Sequence, residues 1–514
     1  MKTIRPFFLS LALSLVAIMA YATNYNNPII PGFHPDPSVC KANGKYYLVC
    51  SSFQYFPAVP IFESSDMLKW EQIGYVIDRN EQLDLKRATS WTGIYAPTIR
   101  FHDGIFYMIT TNVGGKGNFM VTAKDPRGPW SMPIYLKQGG IDPSLYFDGD
   151  RCYMVSNPDN AITLCEIDKT TGKQLTDSKV IWRGTGGRYP EGPHIYKKDN
   201  YYYLLISEGG TEIAHKLTMA RSKNIFGPYE SNPHNPIFTH CSVNAQSSNI
   251  QGTGHGDLIE DYDGNWWMSM LAFRQYEGSY HHIGRETFLA PVVWEKDKWP
   301  VVNGNNPLVE KTDIANTGCK ISNSAAKGFG LLSHEWIHIQ NPITERYRIS
   351  DNKLTLIASA SSLTENDHPT FMGRRQQSAS CSVISCVDAS GLNKGDEAGI
   401  TAYQIHNGHC EIFIKRALDG QLSVYSRVTL MSVVKESVPM TISDNKVTLT
   451  IQCSPKKYSL GYMTDNQHQP CIINTVDTQL LSTEVVGGFT GCILGMYATG
   501  SGSASFDYFD YQQK

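Results

Sequence analysis

Residues 43–52 read NGKYYLVCSS, an Asn-Gly pair followed by a run of aromatic and aliphatic residues. Asn and Gly tolerate the positive φ that a tight hairpin turn demands, and Tyr, Leu and Val favour extended chain, so the stretch predicts a turn and the strand that leaves it. The combination returns four times: Asp103-Gly104 before IFYMITTN, Asp148-Gly149 before DRCYMVSN, Asp199-Asn200 before YYYLLISEG, and Asp263-Gly264 before NWWMSMLAF. The second turn residues fall at 44, 104, 149, 200 and 264, which gives spacings of 60, 45, 51 and 64. Five units of that size, all strand and turn, predict a five-bladed β-propeller.

Upstream of the turns lie HPDPS, YAPTI, IDPSL, PEGPHI and GHGDL. In four of them Asp36, Asp142, Glu191 and His255 stand 8, 7, 9 and 9 residues before the turn, about one short strand plus its entry. If that strand is the innermost of its blade, the four residues converge on one end of the central channel although they are far apart in sequence. Strand-entry turns alone account for the prolines, but not for carboxylates at three of the five entries. Convergent carboxyls suit glycoside hydrolysis, which needs one group to protonate the leaving oxygen and another to activate water or attack carbon. Asp142 and Glu191 sit in adjacent blades, where each disfavours the other's ionisation. Glu191, flanked by Pro190 and Gly192, is the candidate general acid. Asp36, in a blade adjacent to neither, is the candidate base, a placement that leaves room for water and favours inversion.

The bulk sequence agrees with an uncharged ligand. The net charge is −3 over 514 residues and no basic run interrupts the chain, which argues against nucleic acid and anionic membrane surfaces. Lys2 and Arg5 precede an apolar run from Phe7 to Ala20, and Ala20-Tyr21-Ala22 has the form of a cleavage site. This predicts a signal peptide over 1–22, cleavage near Ala22 and an exported chain, periplasmic or extracellular, without membrane insertion. The run is short for a spanning helix. Twelve cysteines include no C-x-x-C pair, which speaks against zinc ribbons and thioredoxin chemistry and leaves disulfides open for an exported chain.

The ordered set NPIIPGFHPDPS, GIYAPTIRFHDG, GGIDPSLYFDG, YPEGPHIYKK, SEGGT, ARSKNIFGPYE, GHGDL and GRETFLAPVVWE resembles glycoside hydrolase family 43, the exo-acting β-xylosidases and α-L-arabinofuranosidases. The resemblance implies an inverting hydrolase that needs no cofactor and acts on an oligosaccharide or polysaccharide such as arabinoxylan, arabinan or a xylo-oligosaccharide. It assigns Asp36 as base, Glu191 as acid and Asp142 as the carboxylate that tunes and orients the acid. Phe53 resembles an aromatic wall of the sugar pocket, Arg285 an arginine that binds sugar hydroxyls, and His255 a channel histidine near which relatives hold a structural calcium ion. No cluster of acidic calcium ligands is visible in the sequence. Where many relatives read Ser-Gly-Gly-Ile-Trp-Ala-Pro, this chain has Ser90 to Pro97 with Tyr95 in place of the pocket Trp and Trp91 added nearby. Xylose and arabinofuranose stay open, and a non-catalytic carbohydrate-binding propeller is the alternative.

A Gly, Asn and Pro cluster near 302–312 ends the repeat, giving a propeller over 23–310. Short alternating segments such as KLTLIAS, CEIFIKR and VTLTIQC then predict a β-sandwich over 325–514. The family resemblance implies that this sandwich is lectin-like and helps close the pocket, with HPTFMGRRQ and Phe489 as candidates. Two motifs are decoys. HEWIH, residues 334–338, matches the zinc-protease pattern, but nearby glycines and Asn341-Pro342 leave no helix to hold it, so no metal is assigned there. GGKGNF, residues 114–119, lacks the spacing of a phosphate loop.

Overall fold

The structure is a computed structural model that describes residues 25–276, 278–310, 329, 332–464 and 469–513. The candidate signal peptide and residues 311–328 lie outside the described residues. Strands dominate, and five separate antiparallel sheets occupy the N-terminal part. One strand of each faces the strands of the neighbouring sheets: Ser38–Ala42, Thr98–His102, Ser144–Asp148, Glu191–Lys198 and Ile250–Glu260. Each of these touches the next, and the fifth touches the first, so they line a central channel. This is a five-bladed propeller.

The second strand of each blade explains the aromatic runs. Tyr47 and Val49 pack with Ile99, Phe106 and Met108 of blade two, while Tyr46 and Leu48 pack with Ile259 and Trp267 of blade five. Side chains alternate across a strand, so one strand supplies both neighbouring interfaces and both of its faces must be apolar. The pattern repeats: Ile109 meets Leu145 and Met154, Val155 meets Leu204 and Ile206, and Leu205 meets Met268 and Met270. The ring is closed by the N-terminal segment, where Ile30 bridges Thr287 and the Asn27 side chain bonds both backbone groups of Leu289.

The turns differ in detail from the expectation. Asn43-Gly44, Asp103-Gly104 and Asp199-Asn200 are two-residue loops, and Asn43 and Gly44 both have positive φ. In blade three the loop is Gly149-Asp150, one residue later than the motif suggests. In blade five Glu260 pairs with Trp266, and the longer loop is held by Asp261, whose carboxylate accepts from the backbone of Asp263 and Asn265 and from Trp267 Nε1.

The C-terminal part is a sandwich of two seven-stranded sheets. Ala398, Ile400 and Ala402 face its internal core, together with Ile412, Ile414, Leu494 and Met496. The alternate residues Tyr403, Phe413, Ile493 and Tyr497 face the propeller and pack with Phe33, Phe53, Tyr55 and Tyr75. The strand Glu397–Ile405 is therefore buried along its whole length. Eleven of the twelve cysteines fall in the described residues, all as free thiols, so the disulfides left open by the sequence do not form among them.

HEWIH forms no helix: His334 is exposed in a turn, Glu335 pairs with Arg374, and His338 lies in a two-residue strand opposite Phe56. GGKGNF spans a hairpin turn in blade two and the start of the strand Gly117–Ala123.

Candidate active site

Asp36 and Asp142 stand where the chain enters the inner strands of blades one and three, and His255 sits at the register break between Gly254 and Asp257 within that of blade five. All three have left-handed backbones, with φ of 55°, 52° and 44°. Such conformations are costly for residues with a side chain and gather at functional sites. In blade four the position after Glu191 is Gly192, at φ 58°. A Cβ there would stand 3.1 Å from the His255 ring, so glycine suits both the backbone and the space. The four entries meet: His255 Nδ1 lies 3.7 Å from Asp36 Oδ1 and 4.0 Å from Asp142 Oδ2.

The two buried aspartates are pushed apart electrostatically. Burial alone would raise Asp36, but the Arg285 guanidinium at 3.0 Å, the His255 ring and the Ser51 hydroxyl outweigh it and hold the carboxyl below its ordinary value. Asp142 is raised well above the usual carboxylate range by burial, then by the charges of Glu191 and Asp36, against the opposing N–H of Gly192 at 3.1 Å and Arg285. The like-charge push expected from Glu191 is thus felt at Asp142. Asp36 also adds to it, because blades that are not neighbours in the ring still meet at the axis. Burial lowers His255, with His215 and Arg285 acting the same way against the opposing pull of Asp36 and Glu191.

These groups face a small chamber of about 60 Å³, lined by all seven positions singled out from sequence: Asp36, Phe53, Tyr95, Asp142, Glu191, His255 and Arg285. Phe53 is both wall and core, 2% exposed, with its ring 5.1 Å from Tyr95 and 5.7 Å from Phe489. Tyr95 is anchored through its hydroxyl to the Trp91 carbonyl at 2.6 Å. Of the two candidate sandwich segments, the one that reaches the chamber is that of Phe489. Its N–H donates to Ser90 O at 2.9 Å and its carbonyl accepts from Arg285 Nη2 at 3.2 Å. HPTFMGRRQ lies in the strand Thr370–Arg375, where Gly373 bonds Ile337, and it lines neither the chamber nor the cleft outside it.

The chamber opens into an outer cleft of about 1130 Å³ that shares Tyr95, Ile141, Glu191, Thr211, Arg285 and Phe489 with it. Glu191 therefore stands at the junction. Such a layout suits one terminal ring inside, the remainder outside, and a proton donor at the bond between them.

Some residues of the site escape the sequence argument. Thr211 accepts from Arg285 Nη1 at 3.0 Å, and His215 Nε2 lies 3.4 Å from Glu191 Oε1. Thr211 ends the SEGGT stretch and His215 lies four residues beyond it, but no turn or spacing marks them. Glu208 accepts from Thr185 N, Gly187 N and the hydroxyls of Thr185 and Thr218, which folds the loop that delivers Glu191.

Below the site, blade five's Asp257 accepts from Arg100 at 2.8 and 3.1 Å, Ser38 Oγ at 2.7 Å, Val39 N at 3.1 Å and Tyr196 OH at 2.7 Å. This network spans blades one, two, four and five and floors the channel.

No group of three or more His, Cys, Asp or Glu side chains among the described residues is arranged to hold a metal ion. Calcium takes six to eight oxygen ligands, whereas His255 is surrounded by the carboxyls already described and by other imidazoles. The residues present do not fit a calcium cage built from the protein.

Residues 25–300 match the family described as Glycosyl hydrolases family 43, and residues 330–512 match a Beta xylosidase C-terminal Concanavalin A-like domain. A xylosidase/arabinosidase of Butyrivibrio fibrisolvens is 38% identical over 511 residues, covering 95% of this chain and 98% of its own. A non-reducing end alpha-L-arabinofuranosidase of Bacteroides ovatus is 37% identical over 506 residues, covering 95% and 94%. The solved structure of Bacteroides ovatus Xyloglucan PUL GH43B has a TM-score of 0.89 at 35% identity and covers 95% of this chain and 100% of that one.

Proposed function

Since the chain belongs to glycosyl hydrolases family 43 and is a glycoside hydrolase, we propose that it removes single terminal pentoses, β-D-xylose or α-L-arabinofuranose, from plant cell-wall oligosaccharides or polysaccharides with inversion. The relatives named for xylosidase and arabinosidase activity support the choice of sugars. The observation that carries the mechanism is the small chamber that holds a depressed Asp36 and a raised Asp142 and opens outward at Glu191.

Asp36, ionised, takes a proton from water, whose oxygen attacks the anomeric carbon as the glycosidic C–O bond breaks. Glu191 gives its proton to the departing oxygen, leaving Asp36 protonated and Glu191 ionised until solvent resets them. Asp142, whose carboxyl is raised by burial and by the charges of Glu191 and Asp36, supports the Glu191 end by accepting the Gly192 N–H. The small chamber, with Phe489 as its sandwich-borne wall, favours chain ends and branches over internal positions.

Glu191→Gln tests the acid. On an unactivated pentoside kcat is expected to fall about 10²–10⁴-fold, the usual range for losing a general acid. A 2,4-dinitrophenyl glycoside needs no protonation and should lose far less, and equal losses on both substrates would remove Glu191 from that role. Binding of an oligosaccharide without turnover by wild type would favour the binding-protein alternative.

The same proposal has the chain exported on its N-terminal segment. It assigns no calcium to the chemistry, so EDTA is expected to leave turnover unchanged. A loss restored by calcium would add an ion to the channel.

A further inference from the structure

The outer cleft contains one imidazole held from three sides. His281, from blade five, stacks flat on Phe273, with ring centroids 4.0 Å apart and planes at 13°. Its Nδ1 lies 2.6 Å from Glu484 Oε1 and its backbone N–H donates to Glu484 Oε2 at 3.1 Å. Its carbonyl accepts from Thr483 N at 3.2 Å. Glu484 belongs to the sandwich, in the short helical turn Thr483–Val486 just before Phe489. His281, Phe273 and Glu484 all line the cleft into which Glu191 opens.

A carboxylate only accepts, so Nδ1 must carry the proton it gives to Glu484, and Nε2 is the ring nitrogen left for a ligand. A sugar hydroxyl both donates and accepts, and can pair with Nε2 in either protonation state of the ring. An aryl leaving group has no hydroxyl to offer.

We propose that His281, oriented across the domain boundary by Glu484, binds a hydroxyl of the leaving-group sugar and so selects carbohydrate over other aglycones. The assignment rests on the proposed hydrolase, with Glu191 marking the leaving-group side. It gives the sandwich a second role at the site, through the Glu484 carboxylate that orients the propeller's histidine.

The test compares kcat/KM for a p-nitrophenyl pentoside and for a pentose-capped oligosaccharide, in wild type, His281→Asn, His281→Gln and Glu484→Gln. Asn keeps a donor near Nδ1 but loses Nε2, whereas Gln carries an amide near the position of Nε2. In His281→Asn the ratio of oligosaccharide to aryl efficiency is expected to fall about tenfold, chiefly through KM, with a near wild-type melting temperature. His281→Gln should recover part of the ratio, and Glu484→Gln should lower it about threefold. A wild-type ratio in His281→Asn, or parallel losses on both substrates, would overturn the assignment. Absence of turnover on either substrate by folded wild type would instead sink the hydrolase proposal itself.

Discussion

Asp36→Asn is expected to lower kcat on either p-nitrophenyl pentoside by roughly 10³–10⁴-fold, near the upper range for loss of a general base. The amide is isosteric, so the contacts of Ser51 and Arg285 keep a partner and the protein should fold. Only the proton acceptor is gone. A variant that kept more than about a tenth of wild-type turnover would remove Asp36 from the role. The same group sets a pH expectation. Its folded pKa is depressed, so the base form is present above that value and is lost only as pH falls through it. Arg285 is the largest charge holding it down, so Arg285→Gln should move the acidic limb of kcat/KM toward higher pH as well as weaken binding. The linked stability from Asp36 has the same sign: it is present above the unfolded carboxyl value and lost in acid. Asp142 runs the other way, since a raised carboxyl stabilises the fold below its unfolded value and loses that as pH rises through the folded one.

The blades are legible in sequence because a propeller strand serves two interfaces at once. That demand makes KYYLV, YYYLLISE and WWMSMLAFR largely aromatic and aliphatic behind turn residues, a local signal. The convergence of Asp36, Asp142, Glu191 and His255 is legible for the same reason, since each sits one strand before its turn. The identity of the titrating partner is not. Asp142 is pushed upward first by its burial, and burial depth has no spacing signature. Thr211 and His215 enter the site from the turn after the second strand of blade four, at no repeated distance. Phe489 and Glu484 arrive from a domain some 200 residues downstream of Arg285 and His281, through contacts that only the packed sandwich creates.

The channel floor supplies the largest expected effect on stability. Arg100→Met leaves Asp257, with a fully buried side chain, without the cation that holds its carboxyl low, and breaking such a pair by removing one partner costs about 3–5 kcal/mol. The remaining donors, Ser38 Oγ, Val39 N and Tyr196 OH, cannot neutralise the charge. Asp257 is depressed in the fold, so its contribution is fully present above the unfolded carboxyl value and lost only as pH falls through the folded one. The deficit should therefore be large at pH 7 and shrink in acid. Urea unfolding at both pH values measures it. A cost under about 1 kcal/mol at pH 7 would mean that the pair is dispensable, and the double variant Arg100→Met/Asp257→Leu should recover most of the loss because no charge is then stranded. Activity should respond as well as stability. Ser38 lies two residues beyond Asp36, Asp257 two beyond His255, and His194, whose ring nitrogen meets Arg100 at 3.0 Å, three beyond Glu191. Loosening the floor thus shifts base, channel histidine and acid together, and kcat should drop at temperatures where the variant is still folded.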